Sequence, residues 1–345
     1  MSTSPLLQIQ DLTVQFKVYG GLLKVLDGIN FYVNTGEKVG LVGETGCGKT
    51  TTMKAILRLL PMPPARIPGG QIWFKGKDVL KMRQDQLSAV RGRGISMIFQ
   101  DPTAALNPVF TIGQQFLPVI RHAAPENWRL SARQVREKAV APLREVALAD
   151  PERLLDSYPI QLSGGMRQRV CIGMALATDP ELLIADEPGT SLDVTIQDQV
   201  LRLLHDLVER KQTSIILITH TLGVVREMTD RVYVMYAGNM VEVAPTKKLF
   251  AKPSHPYTLG LMQAVPKLSG GGIATGIPGR IPDYLHPPSG CRFHPRCPHV
   301  MPICHRQKPP FFAVDEEHQA ACFLYDANVE VYKREATDRF ASPSG

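Results

Sequence analysis

A chain of 345 residues, 44% hydrophobic and 21% charged, holds enough apolar material for one large core or two modest ones, which excludes a disordered or fibrous protein. Its 39 Lys and Arg against 32 Asp and Glu leave a formal charge of +7, a balance that admits nucleic acid, phosphate ligands or an anionic membrane surface and selects none of them. No stretch approaches the roughly 18 apolar residues of a spanning helix, and Met1 to Phe16 lacks the basic-then-apolar order of an export signal, so any membrane role is expected to run through partners.

Leu7 and Ile9, then Leu12, Val14 and Phe16, alternate with polar residues and break phase once at Asp11, which predicts strand structure with one solvated face. A second strand-like run, Ile29 to Val33, leads through the turn signal Asn34-Thr35-Gly36 to Lys38-Val39-Gly40-Leu41-Val42, short and apolar, read as a buried strand. Directly after it, Gly43-Glu44-Thr45-Gly46-Cys47-Gly48-Lys49-Thr50 fits G-x-x-x-x-G-K-[ST], and Thr51 to Leu60 reads as a helix. Strand, glycine-rich loop and helix stand in the order a P-loop needs. Glycines let the backbone wrap phosphate oxygens without Cβ clashes, and N–H groups at the following helix N-terminus donate to them. The residues from Gly43 to Thr51 are therefore the expected nucleotide contacts. Lys49 reaches the β- and γ-phosphates, and the Thr50 hydroxyl ligates Mg²⁺.

Ile95 to Phe99 is another strand-like run, ending at Gln100. Between about 105 and 165 the texture turns helical, with Leu117, Val119 and Ile120, then Val135, Ala139, Val140, Leu143 and Val146, spaced mostly three and four apart. Strand-like runs return at Leu182 to Ala185 and Ser214 to Thr219, with a helical stretch from Val194 to Arg210 between them, and this alternation predicts a mainly parallel α/β sheet. Leu182-Leu183-Ile184-Ala185-Asp186-Glu187 ends in two carboxylates, as a Walker B motif does: Asp186 to hold Mg²⁺, Glu187 to polarise the attacking water. Gln100 and His220 each end a strand-like run, where parallel sheets place their ligands, and are candidates to order the nucleophile, with Gln100 also on Mg²⁺, and to sense the γ-phosphate.

From Ala251 onward Pro and Gly become dense (Pro253, Pro256, Gly270 to Gly272, Pro278, Pro282, Pro287, Pro288), marking a boundary to a loop-rich module. Four of the six cysteines fall there, Cys291, Cys297, Cys304 and Cys322, with gaps of five, six and seventeen residues. In a chain that otherwise reads as cytosolic, clustered thiols point to metal rather than disulfides. Four thiolates suit either an iron–sulfur cluster or tetrahedral Zn²⁺, and His294, His299 and His305 are interleaved as competing zinc ligands. Cys47 and Cys171 are expected to be unliganded.

Leu162-Ser163-Gly164-Gly165-Met166-Arg167-Gln168-Arg169 resembles the ABC signature, and Ser191-Leu192-Asp193 resembles the D-loop. With Gln100 as Q-loop and His220 as switch histidine, the ABC set is present in order. The resemblance implies a head-to-tail dimer in which Ser163, Gly164 and Gly165 of one subunit contact the γ-phosphate of ATP held on the other subunit's P-loop. It sets Phe16 where the family stacks an aromatic on adenine, with Tyr19 a nearby competitor and a core strand residue the alternative reading. Gly189 and Thr221 depart from the pattern, standing where Thr and Asp are usual.

His255-Pro256-Tyr257-Thr258-Leu259-Gly260-Leu261, Ile277-Pro278-Gly279 and Gly290-Cys291-Arg292-Phe293-His294-Pro295-Arg296-Cys297-Pro298 resemble the tail of oligopeptide and dipeptide importer ATPases, so the resemblance covers nearly the whole chain. In that family the four cysteines imply a [4Fe-4S] cluster. The implied architecture is an ABC ATPase domain over 1–255, with a mainly parallel core sheet, an antiparallel β subdomain and a helical subdomain at about 105–165, and a C-terminal metal-binding extension over 256–345. The implied role is ATP hydrolysis on the cytoplasmic face of the cell membrane, beside a second related ATPase as heterodimer, two transmembrane permeases and an external substrate-binding protein. A soluble ABC ATPase acting on nucleic acid or ribosomes is the alternative; nucleic acid is not the expected partner, because the chain has neither heptads nor a second P-loop. Regulation through the cluster is compatible with transport. Peptides, nickel complexes, sugars and opine-like compounds all remain open as substrates.

Overall fold

The computed structural model describes residues 4–123, 130–190, 192–264 and 276–333. Ser191 of the expected D-loop and the run Gly270 to Gly272 lie outside the described residues. The chain divides into two compact units, one drawn from Met1–Leu6, Val33–Lys38 and Lys75–Thr219, the other from Leu7–Tyr32, Val39–Phe74 and His220–Gly345.

The first unit is built on three parallel strands, Ile95–Ile98, Leu182–Asp186 and Ser214–Ile218, in register Ile95↔Leu182 and Leu182↔Ser214. Every residue of the latter two strands is buried, which is why both read in sequence as unbroken apolar runs rather than alternation. The crossover between them is the helix Val194–Lys211, which buries Val200, Leu201, Leu204, Leu207 and Val208 and stops at Gln212 in the left-handed conformation, φ 52°. The helical region expected at about 105–165 contains Ile112–Ala123, Ala132–Glu145 and Pro151–Leu154. Ala132–Glu145 begins with a reciprocal cap: the Ser131 hydroxyl accepts from Gln134 N at 3.3 Å and Gln134 Oε1 accepts from Ser131 N at 2.9 Å. Val135, Ala139 and Leu143, four apart, form its buried stripe.

In the second unit an antiparallel sheet runs Gly21–Val33, Leu7–Val18, Ala65–Phe74. The break in alternation at Asp11 is a bulge. Asp11 is left-handed, φ 47°, and the register slips between Gln10 and Thr13. Asn30 fixes it, accepting from Asp11 N at 3.1 Å and donating to Asp11 Oδ1 at 2.8 Å. Opposite, a Cβ on Gly70 would lie 2.4 Å from Leu12 Cα, so the bulge needs a glycine there.

Lys38–Val42 pairs in parallel with Arg231–Tyr236; the strands added beyond it, Asn239–Pro245, Gln319–Ala320 and Phe312–Ala313, are antiparallel. The unit's sheet is thus mixed, because the hairpin Ala237-Gly238 turns the chain straight back instead of crossing over. Its core joins Val42, Val225, Val232, Val234, Tyr236, Tyr257 and Phe293, so the C-terminal region packs on the strand beside Lys38–Val42. Among the described residues, no helix is long and apolar enough to cross a membrane.

Candidate nucleotide site and cysteine module

The loop after Lys38–Val42 is shaped by close backbone approach. A Cβ on Gly43, φ 154°, would meet Met235 O at 2.1 Å, and one on Gly48, φ 112°, would meet Leu26 Cδ2 at 2.7 Å. Gly48 caps the helix Lys49–Ile56, which starts two residues before the expected Thr51 and ends at Ile56. Lys49 is only 4% exposed, and its ammonium donates to Gly43 O at 2.8 Å and Glu44 O at 3.0 Å. The lysine ammonium is therefore held on two loop carbonyls at a helix N-terminus. Thr45 and Gly46 are exposed on the loop, while Thr50 and Thr51 are half-buried in the first helical turn. Burial pushes the Cys47 thiol up, so it stays neutral at physiological pH.

Three side chains far along the sequence also bind this loop: Tyr257, Tyr284 and Arg296. No local pattern marks them, since Tyr257 and Arg296 lie 213 and 252 residues beyond Glu44. Tyr257 and Arg296 lie in the segments that resemble importer ATPases, which was the available signal.

The same unit holds Phe16, half-buried and opposite Ala65, and Tyr19, fully exposed at the hairpin tip. His220 is exposed, one residue before Thr221, the N-cap of Leu222–Met228.

In the first unit, Asp186 is 2% exposed at the end of Leu182–Asp186. Glu187 follows in a left-handed conformation, φ 48°, with its N–H bonded to Ile218 O at 2.9 Å. Its carboxylate accepts from Gln100 Nε2 and from Thr190 Oγ1, each at 3.0 Å. Gln100, Asp186 and Glu187, dispersed over 88 positions of sequence, are thus brought to one end of the parallel strands. Ser163 caps the helix Gly164–Leu176, its hydroxyl accepting from Met166 N at 3.3 Å. Both signature glycines face the segment after Walker B: a Cβ on Gly165 would lie 2.8 Å from Ile196 Cγ2, and one on Gly164 3.3 Å from Leu192 Cδ2. Gly189 has a local reason too, since a Cβ there would meet Gln197 Cγ at 2.6 Å.

All six cysteines are free thiols. Cys291, Cys297, Cys304 and Cys322 line one cavity, together with His255, His294 and His299. Gly290, φ 68°, lets Cys291 approach the chain at Cys304, whose carbonyl accepts from Cys291 N at 2.9 Å; a Cβ on Gly290 would lie 2.4 Å from that carbonyl oxygen. Burial pushes the Cys291 and Cys322 thiols up to about 12 and raises Cys297 and Cys304 as well. Among the described residues no three His, Cys, Asp or Glu side chains converge as ligands of a single ion.

The sequence matches the ABC transporter family over residues 26–190 and the C-terminal region of oligopeptide/dipeptide transporters over residues 241–304. It is 48% identical to a probable peptide ABC transporter ATP-binding protein of Sinorhizobium fredii, covering 92% of this chain and 94% of that one. It is 45% identical to the oligopeptide transport ATP-binding protein OppD of Bacillus subtilis, over 92% and 88% of the two chains. With the dipeptide transport ATP-binding protein DppD of the same organism it shares 44%, over 94% and 96%. Among solved structures it is similar to a dimeric ATP-binding cassette in a post-hydrolysis state bound to ADP and Pi, with a TM-score of 0.61 at 26% identity, covering 70% of this chain and 98% of that one. The match in fold, the P-loop turn and the near full-length identity agree: the chain has the P-loop ABC ATPase fold and belongs to the family of ABC transporter ATP-binding proteins that carry the oligopeptide/dipeptide transporter C-terminal region.

Proposed function

We propose that this chain binds and hydrolyses MgATP to drive the import of peptides or similar small solutes. The observation that carries the reading is the Lys49 ammonium held on Gly43 O and Glu44 O at the strand-to-helix turn, in a chain that also bears the oligopeptide/dipeptide C-terminal region. In this reading residues 43–51 line the nucleotide, Lys49 and the N–H groups at the N-terminus of the helix Lys49–Ile56 hold the β- and γ-phosphates, and Phe16 or Tyr19 stacks on adenine. The Thr50 hydroxyl, the Gln100 amide oxygen and the Asp186 carboxylate are hard oxygen donors, a set that suits Mg²⁺. Bound there, Mg²⁺ would neutralise charge developing on the phosphates. Glu187, aimed by Gln100 and Thr190, polarises the attacking water, and His220 contacts the γ-phosphate. Ser163, Gly164 and Gly165 complete the site on a second, related ATPase subunit. Two permeases and an external binding protein make up the rest of the transporter, with the region 105–165 receiving a permease on the cytoplasmic face of the membrane. Residues 1–255 act as the ATPase domain and 256–345 as its extension.

The four cysteines fit a [4Fe-4S] cluster. Cys291, Cys297, Cys304 and Cys322 line one cavity and would be the residues that hold it, with Zn²⁺ the alternative for the same four thiolates. Burial raises all four thiols, and a bound cation would favour their thiolate forms. Uptake of a labelled tripeptide by cells lacking this chain tests the transport reading. Wild type is expected to restore uptake and Lys49→Ala to leave it absent; restoration by Lys49→Ala would contradict the assignment.

A further inference from the structure

The loop from Gly43 to Thr50 is held from outside by the C-terminal region of its own unit. The Glu44 N–H donates to Tyr257 Oη at 2.8 Å, Tyr284 Oη donates to Gly46 O at 2.8 Å, and the Gly238 N–H donates to Cys47 O at 2.8 Å. The strongest tie is Arg296, whose fork grips the Glu44 carboxylate at 2.8 and 3.1 Å with the arginine side chain only 5% exposed. The remaining donors are occupied as well: Nε on Pro278 O at 2.8 Å, Nη2 on Ile277 O at 3.0 Å, and Nη1 on Tyr236 Oη at 3.4 Å. All five guanidinium N–H groups thus have partners, and the head is fixed from both sides. Arg296 ends the short turn His294–Arg296, whose next residue is Cys297 of the cysteine cavity.

We infer that Arg296 is a positioning residue for the nucleotide site, through which the cysteine loop sets ATP affinity. This rests on the reading of Gly43 to Thr51 as the ATP-binding loop. Glu44 occupies a freely variable position of the P-loop pattern, so phosphate chemistry does not require an acid there; the ion pair explains it. When Cys291 and Cys297 are held in place, the turn between them keeps Arg296 on Glu44 and the loop amides stay in their phosphate-accepting arrangement. When the cysteine loop loosens, the loop gains freedom that nucleotide binding must remove again.

The test is a fluorescent-ATP titration with Mg²⁺ on the full-length chain purified anaerobically, run on Arg296→Ala, Glu44→Ala, their double variant and Arg296→Lys. Arg296→Ala and Glu44→Ala are each expected to weaken binding about tenfold, as loss of a buried charged hydrogen bond does, and the double variant to be no weaker than either single one. Arg296→Lys keeps the charge but not the fork and is expected to fall between wild type and Arg296→Ala. Cys297→Ser is expected to weaken binding in the wild-type background and to add nothing to Arg296→Ala. Wild-type affinity in Arg296→Ala, additive losses in the cycle, or an equal Cys297→Ser effect in both backgrounds would overturn the inference. Failure of the wild type itself to bind better than Lys49→Ala would instead remove the ATP-site reading.

Discussion

Glu187 spends conformational energy to stand where it does. A non-glycine residue at φ 48° costs about 1 kcal/mol, and here the N–H bond to Ile218 O and the hydrogen bonds from Gln100 and Thr190 over-determine it. Strain held by several contacts at a strand end accords with a group whose direction matters. Glu187→Gln keeps the size and the contacts to Gln100 and Thr190 but cannot accept a proton. Steady-state phosphate release is expected to fall at least about a hundredfold while MgATP affinity stays within about threefold. Near-normal turnover would move the catalytic role elsewhere. Cys171 shows the opposite use of environment: burial, with Asp101 adding to it, pushes its thiol up to about 12. At pH 8 its thiolate fraction is then roughly a thousandfold below that of an ordinary thiol. Iodoacetamide labelling followed by peptide mass analysis should find Cys171 modified only after unfolding. The sign also fixes a stability trend: above about pH 9 the unfolded chain ionises this thiol while the folded chain does not, so its contribution falls as pH rises toward 12.

At the scale of elements, the nucleotide loop depends on packing as much as on its motif. Gly43→Ala would drive a methyl into Met235 O, 2.1 Å from the ideal Cβ, and is expected to cost more than about 2 kcal/mol as well as nucleotide binding. Lys49→Ala should lose binding with little change in melting temperature, and thermal melts beside nucleotide titrations separate the two. The strand Lys38–Val42 was legible to the residue because a buried strand followed by a glycine-rich turn is a local signal, and so was the phase break at Asp11, since a bulge shifts alternation by one residue. Ala65–Phe74 was not, because Pro68-Gly69-Gly70 reads as a turn when in fact it lies across from the bulge at Asp11 and Leu12. The ties on Glu44 were illegible for another reason: Arg296 lies 252 residues away, and only the fold brings them together. That Gln100 and His220 follow the strands Ile95–Ile98 and Ser214–Ile218 was legible from the apolar runs before them, whereas the Gln100–Glu187 contact needed the structure.

At the scale of the whole chain, two units each supply part of the ABC motif set: the P-loop, His220 and the cysteine module in one, the signature, Gln100 and Walker B in the other. The formal charge of +7 selected no function class, whereas near full-length identity to peptide transport ATP-binding proteins sets the family. Among the described residues neither unit carries a helix long and apolar enough to cross a membrane. The proposed cluster predicts that anaerobic protein contains about four irons and four sulfides per chain, and that chelation removes them without unfolding the parallel strands of the first unit, as followed by circular dichroism. Zinc in place of iron would contradict the cluster. The most direct test of the central claim is ATP hydrolysis by this chain in liposomes with its permeases, a partner ATPase and the binding protein, measured with and without peptide outside. Peptide-stimulated hydrolysis with uptake, both abolished by Glu187→Gln, is the predicted result; hydrolysis indifferent to peptide, or uptake that survives Glu187→Gln, would contradict it.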